Sequence, residues 1–131
     1  MMMLDWSRGK LAEGLRCYRS EEFFEAHEHW EYVWLRCPEP EKTFMQALIQ
    51  VTAAFHHLQR NNPIGTASLL RGARRRLESF PADFAGIAVA PLRNEIDAWL
   101  HGLAQKDRPS GLVFPRVRQT ADRSISADDN E

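Results

Sequence analysis

Residues 44–58, FMQALIQVTAAFHHL, constrain the fold most, because their apolar side chains would surround most of a helix instead of one face. On a helical wheel, the apolar positions are Phe44, Met45, Ala47, Leu48, Ile49, Val51, Ala53, Ala54, Phe55 and Leu58. A helix that is apolar nearly all round lies at the centre of its protein. The sequence therefore predicts a central third helix over about residues 41–60.

Two helices are predicted before it. Asp5 is placed to cap a first helix that runs to about Tyr18. Ser20, followed by acidic residues, is the predicted start of a second helix. That helix has to end before Pro38, because proline and the residue preceding it disfavour helical continuation.

Two helices are predicted after it. Asn62 is a helix cap with Pro63 at the first helical position, where proline's missing N–H has no cost. A connector with two prolines, residues 81–91, follows this fourth helix, and Pro91 opens a fifth. From Asp107 the chain turns polar, although LVFP at 112–115 is apolar enough to return to the bundle.

No segment alternates with a period of two, so no sheet is expected. Short connections favour antiparallel neighbours. The predicted fold is all-α, a compact antiparallel bundle of about five helices built from helical hairpins. Residues 1–106 form the predicted domain, and residues 107–131 form an irregular C-terminal tail whose end is disordered.

Composition narrows the class of protein. The chain has 131 residues, 44% of them hydrophobic and 27% charged, with a net charge of −1. That balance predicts no general affinity for nucleic acid, and the arginines of residues 71–78 are expected on a solvated helix face. No apolar run approaches the length that spans a bilayer, and no leader is apparent. A cytoplasmic protein without membrane contact is predicted.

The second helix carries the most informative polar residues, within FFEAHEHWEYVW at 23–34. With Phe23 as zero, His27 falls at about 40° and Glu31 at about 80°. Both positions lie inside an apolar arc that includes three large aromatic side chains, which are the predicted walls of a pocket: Phe24, Trp30 and Trp34. His27 and Glu31 are also one helical turn apart, so their side chains can meet.

Three explanations of this pair remain open. It is a buried structural pair, in which the imidazole donates to the carboxylate, or two ligands of one zinc, manganese or iron ion, or a surface pair. The letters HEHWE also resemble the zinc-protease pattern H-E-x-x-H, with Glu31 in place of the second histidine. If that likeness is functional, Glu28 is the general base of a hydrolytic site.

The third helix has a narrow polar stripe formed by Gln46, Gln50 and His57, with His56 beside it. The stripe faces either solvent or the His27–Glu31 pair. In the second case the two glutamines orient a ligand or water, and one histidine supplies a third metal ligand. Periodicity favours His57 over His56 for that role.

The segment from Phe23 to Leu35, together with the third helix and the start of the fourth, resembles a prokaryotic family known as domain of unknown function 309. Its motif H-x-x-x-E-x-x-W is met by His27, Glu31 and Trp34, and the likeness covers about residues 5–80. The resemblance implies an all-helical fold and a metal-binding role for that histidine and glutamate. It implies no established reaction.

Two classes of function follow. The first is a small helical metalloprotein with a divalent ion at His27 and Glu31, which has a hydrolytic activity if Glu28 acts as a base. The second is a non-enzymatic protein-interaction module in which His27 and Glu31 form a buried structural pair. A protein partner or a homo-oligomer is compatible with four tryptophans in so small a chain. The sequence identifies no small-molecule substrate.

Overall fold

The computed structural model describes residues 4–105 and 113–120, and this part of the chain confirms the all-helical fold. Successive helices pack against one another, so the bundle is built from helical hairpins. The five helices are α1 (Gly9–Arg19), α2 (Phe23–Trp34), α3 (Glu41–Gln59), α4 (Pro63–Leu77) and α5 (Val89–Ala104).

The predicted central helix is α3, which buries more residues than any other helix described. It lies between α2 and α4. On one side the ring of Phe55 lies 5.8 Å from that of Phe23 on α2. On the other, the hydroxyl of Thr66 on α4 donates to the carbonyl of Ala54 at 3.0 Å. The apolar surface of α3 is therefore buried against α2 on one side and against α4 on the other.

The contact between α1 and α2 depends on Gly14. The buried indole of Trp30 crosses α1 at this glycine and donates its Nε1–H to the carbonyl of Leu11 at 3.2 Å. A Cβ at Gly14 would lie 2.2 Å from Trp30 Nε1. The ring of Tyr18 stacks on the same indole with 5.8 Å between the centroids. α2 is thus fixed to α1 by Trp30.

Two predicted helix caps are wrong. α1 begins at Gly9, so Asp5 does not cap it. The Asp5 carboxylate instead accepts a hydrogen bond from the N–H of Ser7 at 3.0 Å, which forms a short turn before the helix. Ser20 follows the last residue of α1, and its N–H donates to the carbonyl of Arg16 at 3.1 Å. The Asp5 side chain thus closes a local turn, which competes with capping, and Ser20 lies at the C-terminal end of α1.

The cap of α4 is confirmed. The side-chain oxygen of Asn62 accepts from the N–H of Gly65 at 3.1 Å, and Pro63 is the first helical residue. α5 begins at Val89, two residues earlier than predicted, with Pro91 inside its first turn. Proline is tolerated there because the first N–H groups of a helix have no intrahelical partner.

The expectation of no sheet is wrong for the connector. Strands β1 (Asp83–Phe84) and β2 (Ile87–Ala88) pair antiparallel across a tight turn. Ala85 and Gly86 have φ of 51° and 82°, as a two-residue hairpin turn of this type requires. The indole of Trp6 donates to the carbonyl of Ala85 at 2.8 Å. Two-residue strands are too short to show alternation in a sequence.

Residues 113–120, which include most of the apolar segment LVFP at 112–115, return to the bundle, as predicted for that segment. The ring of Phe114 lies 5.2 Å from that of Tyr18 and 5.4 Å from that of Phe23. The buried Tyr18 hydroxyl donates to the carbonyl of Pro115. The predicted disorder of the C-terminal end falls on residues outside the described ranges, and the division of the chain near residue 106 stays a prediction.

Candidate functional site

The buried face of α2 is narrower than its composition suggested. Phe23, Ala26 and Trp30 are buried, whereas Phe24 retains 51% of its accessible surface. Counting Phe24 as a core residue widened the predicted apolar arc by about 80°. His27 and Glu31 therefore lie at the edge of the buried face, on the side of α2 that is next to α3.

The histidine and glutamate do meet. His27 Nδ1 lies 3.5 Å from Glu31 Oε2, and the side chains retain 32% and 47% of their accessible surface. The expectation of a buried pair is thus wrong. The error arises because counting Phe24 as a core residue overestimated the width of the apolar arc of α2. Of the three explanations, the surface pair fits this exposure best. A metal-binding role for the two residues stays a prediction.

Contacts at the two ends of α2 show which part of α3 lies beside His27 and Glu31. At the first, the ring of Phe24 lies 5.6 Å from that of His56. At the last, Lys42 Nζ lies 4.6 Å from the centroid of the Trp34 ring and donates to the Trp34 carbonyl at 3.2 Å. Since the helices are antiparallel, the part of α2 that carries His27 and Glu31 passes the middle of α3.

The polar stripe of α3 is half-exposed and lies between α2 and α4. Gln50 points toward α4, where its Oε1 accepts from Arg76 Nη1 at 3.1 Å. A Cβ on Gly72 would lie 2.8 Å from Gln50 Nε2, so this glycine makes room for the amide. Nδ1 of His57 lies 3.1 Å from the side-chain nitrogen of Asn62. The stripe is therefore the floor of an open channel.

We call this channel the α2–α4 groove. Its α2 wall is formed by Phe24, His27, Glu31 and Trp34, its floor by Lys42, Gln46, Gln50, Ala53, His56 and His57, and its α4 wall by Leu69, Gly72 and Arg76. Every predicted metal ligand or neighbour is thus partly exposed, either on α2 or on the polar stripe of α3. Trp30, a predicted pocket wall, is fully buried behind the groove.

One end of the groove deepens into a cleft of about 220 Å³. All three helices and the loop before α3 contribute to it, and its lining residues are Trp34, Glu39, Lys42, Thr43, Gln46 and Arg76. We call it the Lys42–Arg76 cleft. Of its six residues, the sequence had singled out only Trp34 and Gln46.

The carboxylate of Glu39 is turned toward the start of α3. Its Oε1 accepts from the N–H of Thr43 at 2.8 Å and from the hydroxyl at 2.7 Å. The hydroxyl bond, then the N–H bond, lowers the pKa of Glu39. The carboxylate is therefore engaged at the helix start. Lys42 was within reach of sequence reasoning, because it continues the stripe of Gln46 and Gln50 by one more turn.

The remaining sequence candidates are placed as follows. Glu28 is exposed on α2, and its role as a base stays a prediction. Beyond these candidates, the two cysteines of the sequence, Cys17 and Cys37, are free and buried. Over residues 4–105 and 113–120, no group of three or more histidine, cysteine, aspartate or glutamate side chains is arranged to hold a metal ion. A third histidine, cysteine, aspartate or glutamate ligand for His27 and Glu31 is thus not found among the described residues.

Among the helices described, none combines the length and the apolar character that crossing a membrane requires. No curated protein matches the chain. A family model does match, over residues 11–69, a stretch that extends from α1 into α4 and includes most of the groove. The family resemblance found in the sequence is thereby confirmed over residues 11–69, which match the family described as domain of unknown function (DUF309), whereas the motif H-x-x-x-E-x-x-W and the prokaryotic origin stay predictions.

Proposed function

We propose that this protein is a non-enzymatic helical module that binds a segment of a partner protein in the α2–α4 groove. The observation that carries the proposal is the half-exposed floor of α3 between two helical walls. A central helix usually buries its whole circumference, and here one stripe of it is left open.

The dimensions of the groove suit a short segment. A helix rises about 1.5 Å per residue, so the α2 wall from Phe24 to Trp34 is about 15 Å long. That length accommodates about ten residues of helix or about five of extended chain. The two ends differ in chemistry, because Phe24 and His56 form one and Lys42 and Arg76 the other. Such a difference would orient a bound segment.

Exposure favours binding over catalysis. Acid–base catalysts are typically held in sites from which water is excluded, where their interactions are strong. His27 and Glu31 retain about a third and about half of their surface on the groove wall. Half-exposed side chains of mixed polarity are instead typical of surfaces that contact another protein.

Photocross-linking tests the proposal. A small diazirine amino acid replaces Ala53 on the groove floor, and the control carries it at Ala98, an exposed alanine of α5. In cells of the source organism, we expect the first variant alone to cross-link a defined partner, whose attached peptide is identified by mass spectrometry. Equal cross-linking at both positions, or cross-links only between copies of this chain, would contradict the proposal.

The identified peptide then allows a quantitative test. Phe24 and Tyr32 are both exposed aromatic residues of α2, but only Phe24 lies on the groove wall. We expect Phe24→Ala to weaken binding of the synthetic peptide about tenfold, since aromatic anchors dominate such contacts. Tyr32→Ala should leave the affinity unchanged. Equal effects of the two substitutions would move the binding surface away from the groove.

A metal site is the second candidate function, and the i,i+4 contact between His27 and Glu31 supports it. Water or donors from a bound segment would complete the coordination of zinc, manganese or iron. Elemental analysis after loading tests this candidate. About one ion per chain is expected in the parent and in His29→Ala, and none in His27→Ala. Less than about a tenth of an ion in the parent excludes it, and with it any role for Glu28 beside a metal.

A further inference from the structure

We propose that the Lys42–Arg76 cleft binds the carboxylate of an aspartate or glutamate side chain. This inference rests on the proposed function, because the cleft is one end of the α2–α4 groove. It adds the chemical character of the partner segment, which would be acidic at the end that enters the cleft.

Both cations of the cleft are held in place by uncharged acceptors. Lys42 Nζ donates to the Trp34 carbonyl at 3.2 Å, and Arg76 Nη1 donates to Gln50 Oε1 at 3.1 Å. An ammonium has three N–H donors and a guanidinium has five, so most of their donors remain available. Pre-positioned donors lose little conformational entropy when a ligand binds.

Arg74 provides a contrast on the same helix. Its guanidinium contacts two carboxylates, those of Glu78 and Asp97. In the part of the chain that the structure describes, no carboxylate forms an ion pair with Lys42 or Arg76. Two half-buried cations that are not ion-paired favour an anionic ligand.

The one acid that lines the cleft does not neutralise both cations. Glu39 carries one negative charge, which is engaged by the N–H and the hydroxyl of Thr43. The cleft therefore keeps a net charge of about +1, which suits a single carboxylate. The indole of Trp34 forms a wall against which the methylene groups of an acidic side chain can pack.

A nucleic-acid phosphate fits less well. Nucleic acids bind through several phosphate contacts along a basic surface. Here the groove continues from the cleft past Glu31, and Glu28 is exposed on the same helix. These carboxylates would repel the next phosphates of a chain. A cleft of about 220 Å³ instead has room for one acidic side chain.

Nuclear magnetic resonance titration of the full chain tests the proposal. The probe is a terminally blocked octapeptide of alternating alanine and serine in which one central residue is replaced by glutamate, and the same peptide with glutamine at that position is its control. A third titration uses inorganic phosphate. We expect the glutamate peptide alone to cause saturable shifts of the Trp34 indole and of residues 42–46, and these shifts should weaken with added salt.

Adjacent arginines supply matched variants. Arg76 lines the cleft, whereas Arg75 is exposed outside it, so Arg76→Gln and Arg75→Gln remove the same charge from neighbouring positions. We expect Arg76→Gln to weaken peptide binding about tenfold and Arg75→Gln to leave it unchanged. Lys42→Met provides a second loss of charge, with thermal melts to confirm that each variant folds.

Absence of saturable shifts, or equal weakening in Arg75→Gln and Arg76→Gln, overturns the proposal. Phosphate binding as tight as that of the glutamate peptide overturns the assignment to a carboxylate. The result is independent of the cross-linking at Ala53. Groove-specific cross-links without binding of the glutamate peptide would refute only the proposal that the cleft binds a carboxylate. Binding of the glutamate peptide without cross-links would refute only the proposal that the groove binds a partner protein.

Discussion

His27 Nδ1 and Glu31 Oε2 lie 3.5 Å apart on the wall of an open groove, where the side chains retain 32% and 47% of their accessible surface. This combination of contact and exposure separates the two residues from the hydrophobic core behind them. Removing one member of a buried ion pair leaves an uncompensated charge, but at the surface water replaces the lost partner.

We therefore predict that His27→Ala and Glu31→Ala each change the free energy of unfolding by less than about 1 kcal/mol. A buried pair would cost about 3–5 kcal/mol for either change. Urea unfolding at neutral pH measures the difference, with Trp30→Ala as the control for a truly buried residue of α2. Losses above about 3 kcal/mol for both polar variants would mean that the pair is shielded from water in solution.

The central position of α3 could be predicted because the pattern is local. Apolar residues around a helix report burial whatever the identity of the neighbours. The cap at Asn62 was predictable for the same reason, since its partner Gly65 is three residues away. Asp5 and Ser20 carry equally good cap chemistry, but each is used in a turn that the sequence does not distinguish from a cap.

The candidate site was only half predictable. The sequence identified His27, Glu31 and the polar stripe of α3, because each stands out against the apolar residues of its own helix. Their exposure depends on where α3 crosses α2, which the helical wheel of α2 does not contain. The cleft is still harder to predict from the sequence, because Lys42 and Arg76 come from different helices. Nothing in the triplet Arg74, Arg75 and Arg76 distinguishes the residue that turns toward α3.

Gly14 provides a prediction about packing. A methyl group there would lie 2.2 Å from Nε1 of the buried Trp30 indole, so we expect Gly14→Ala to destabilise the protein by about 1–3 kcal/mol. Gly72→Ala is the control, because its methyl group would meet the end of the flexible Gln50 side chain. Its gain in helix propensity, about 1 kcal/mol, should offset that contact.

A double variant tests whether contact with the Trp30 indole causes the loss of stability in Gly14→Ala. Trp30→Phe removes the part of the ring nearest Gly14, so the double variant Gly14→Ala/Trp30→Phe should lose less stability than the sum of the two single changes. Thermal melts followed by circular dichroism compare the four proteins. Strict additivity would show that Gly14→Ala acts through the backbone instead of through Trp30.

The start of α4 gives a third prediction. Asn62 accepts from the Gly65 N–H at 3.1 Å, and its side-chain nitrogen lies 3.1 Å from His57 Nδ1. We expect Asn62→Ala to lower the free energy of unfolding by about 0.5–2 kcal/mol. Asn62→Asp keeps the acceptor and should cost less. Equal losses in urea unfolding would assign the effect to the contact with His57 instead of the cap.

The fourth prediction concerns alkaline pH and the contact between Tyr18 and Pro115. Burial, followed by the nearby charge of Glu95, raises the pKa of the Tyr18 phenol well above its usual value of 10.0. The hydroxyl also donates to the Pro115 carbonyl, which only the protonated form can do. The folded state thus keeps a proton that the unfolded chain loses at lower pH.

Stability from this group is therefore complete below the unfolded pKa of about 10 and falls as the pH rises toward the folded pKa. Tyr18→Phe has no such proton, so we expect it to be less stable than the parent at pH 8 and to lose less stability by pH 11. Burial also raises the pKa of the Cys17 and Cys37 thiols. The stability that is lost at high pH because of these thiols is the same in the parent and in the variant. Urea unfolding across this range measures both slopes, and equal slopes would show that the phenol ionises in the folded protein as readily as in the unfolded chain.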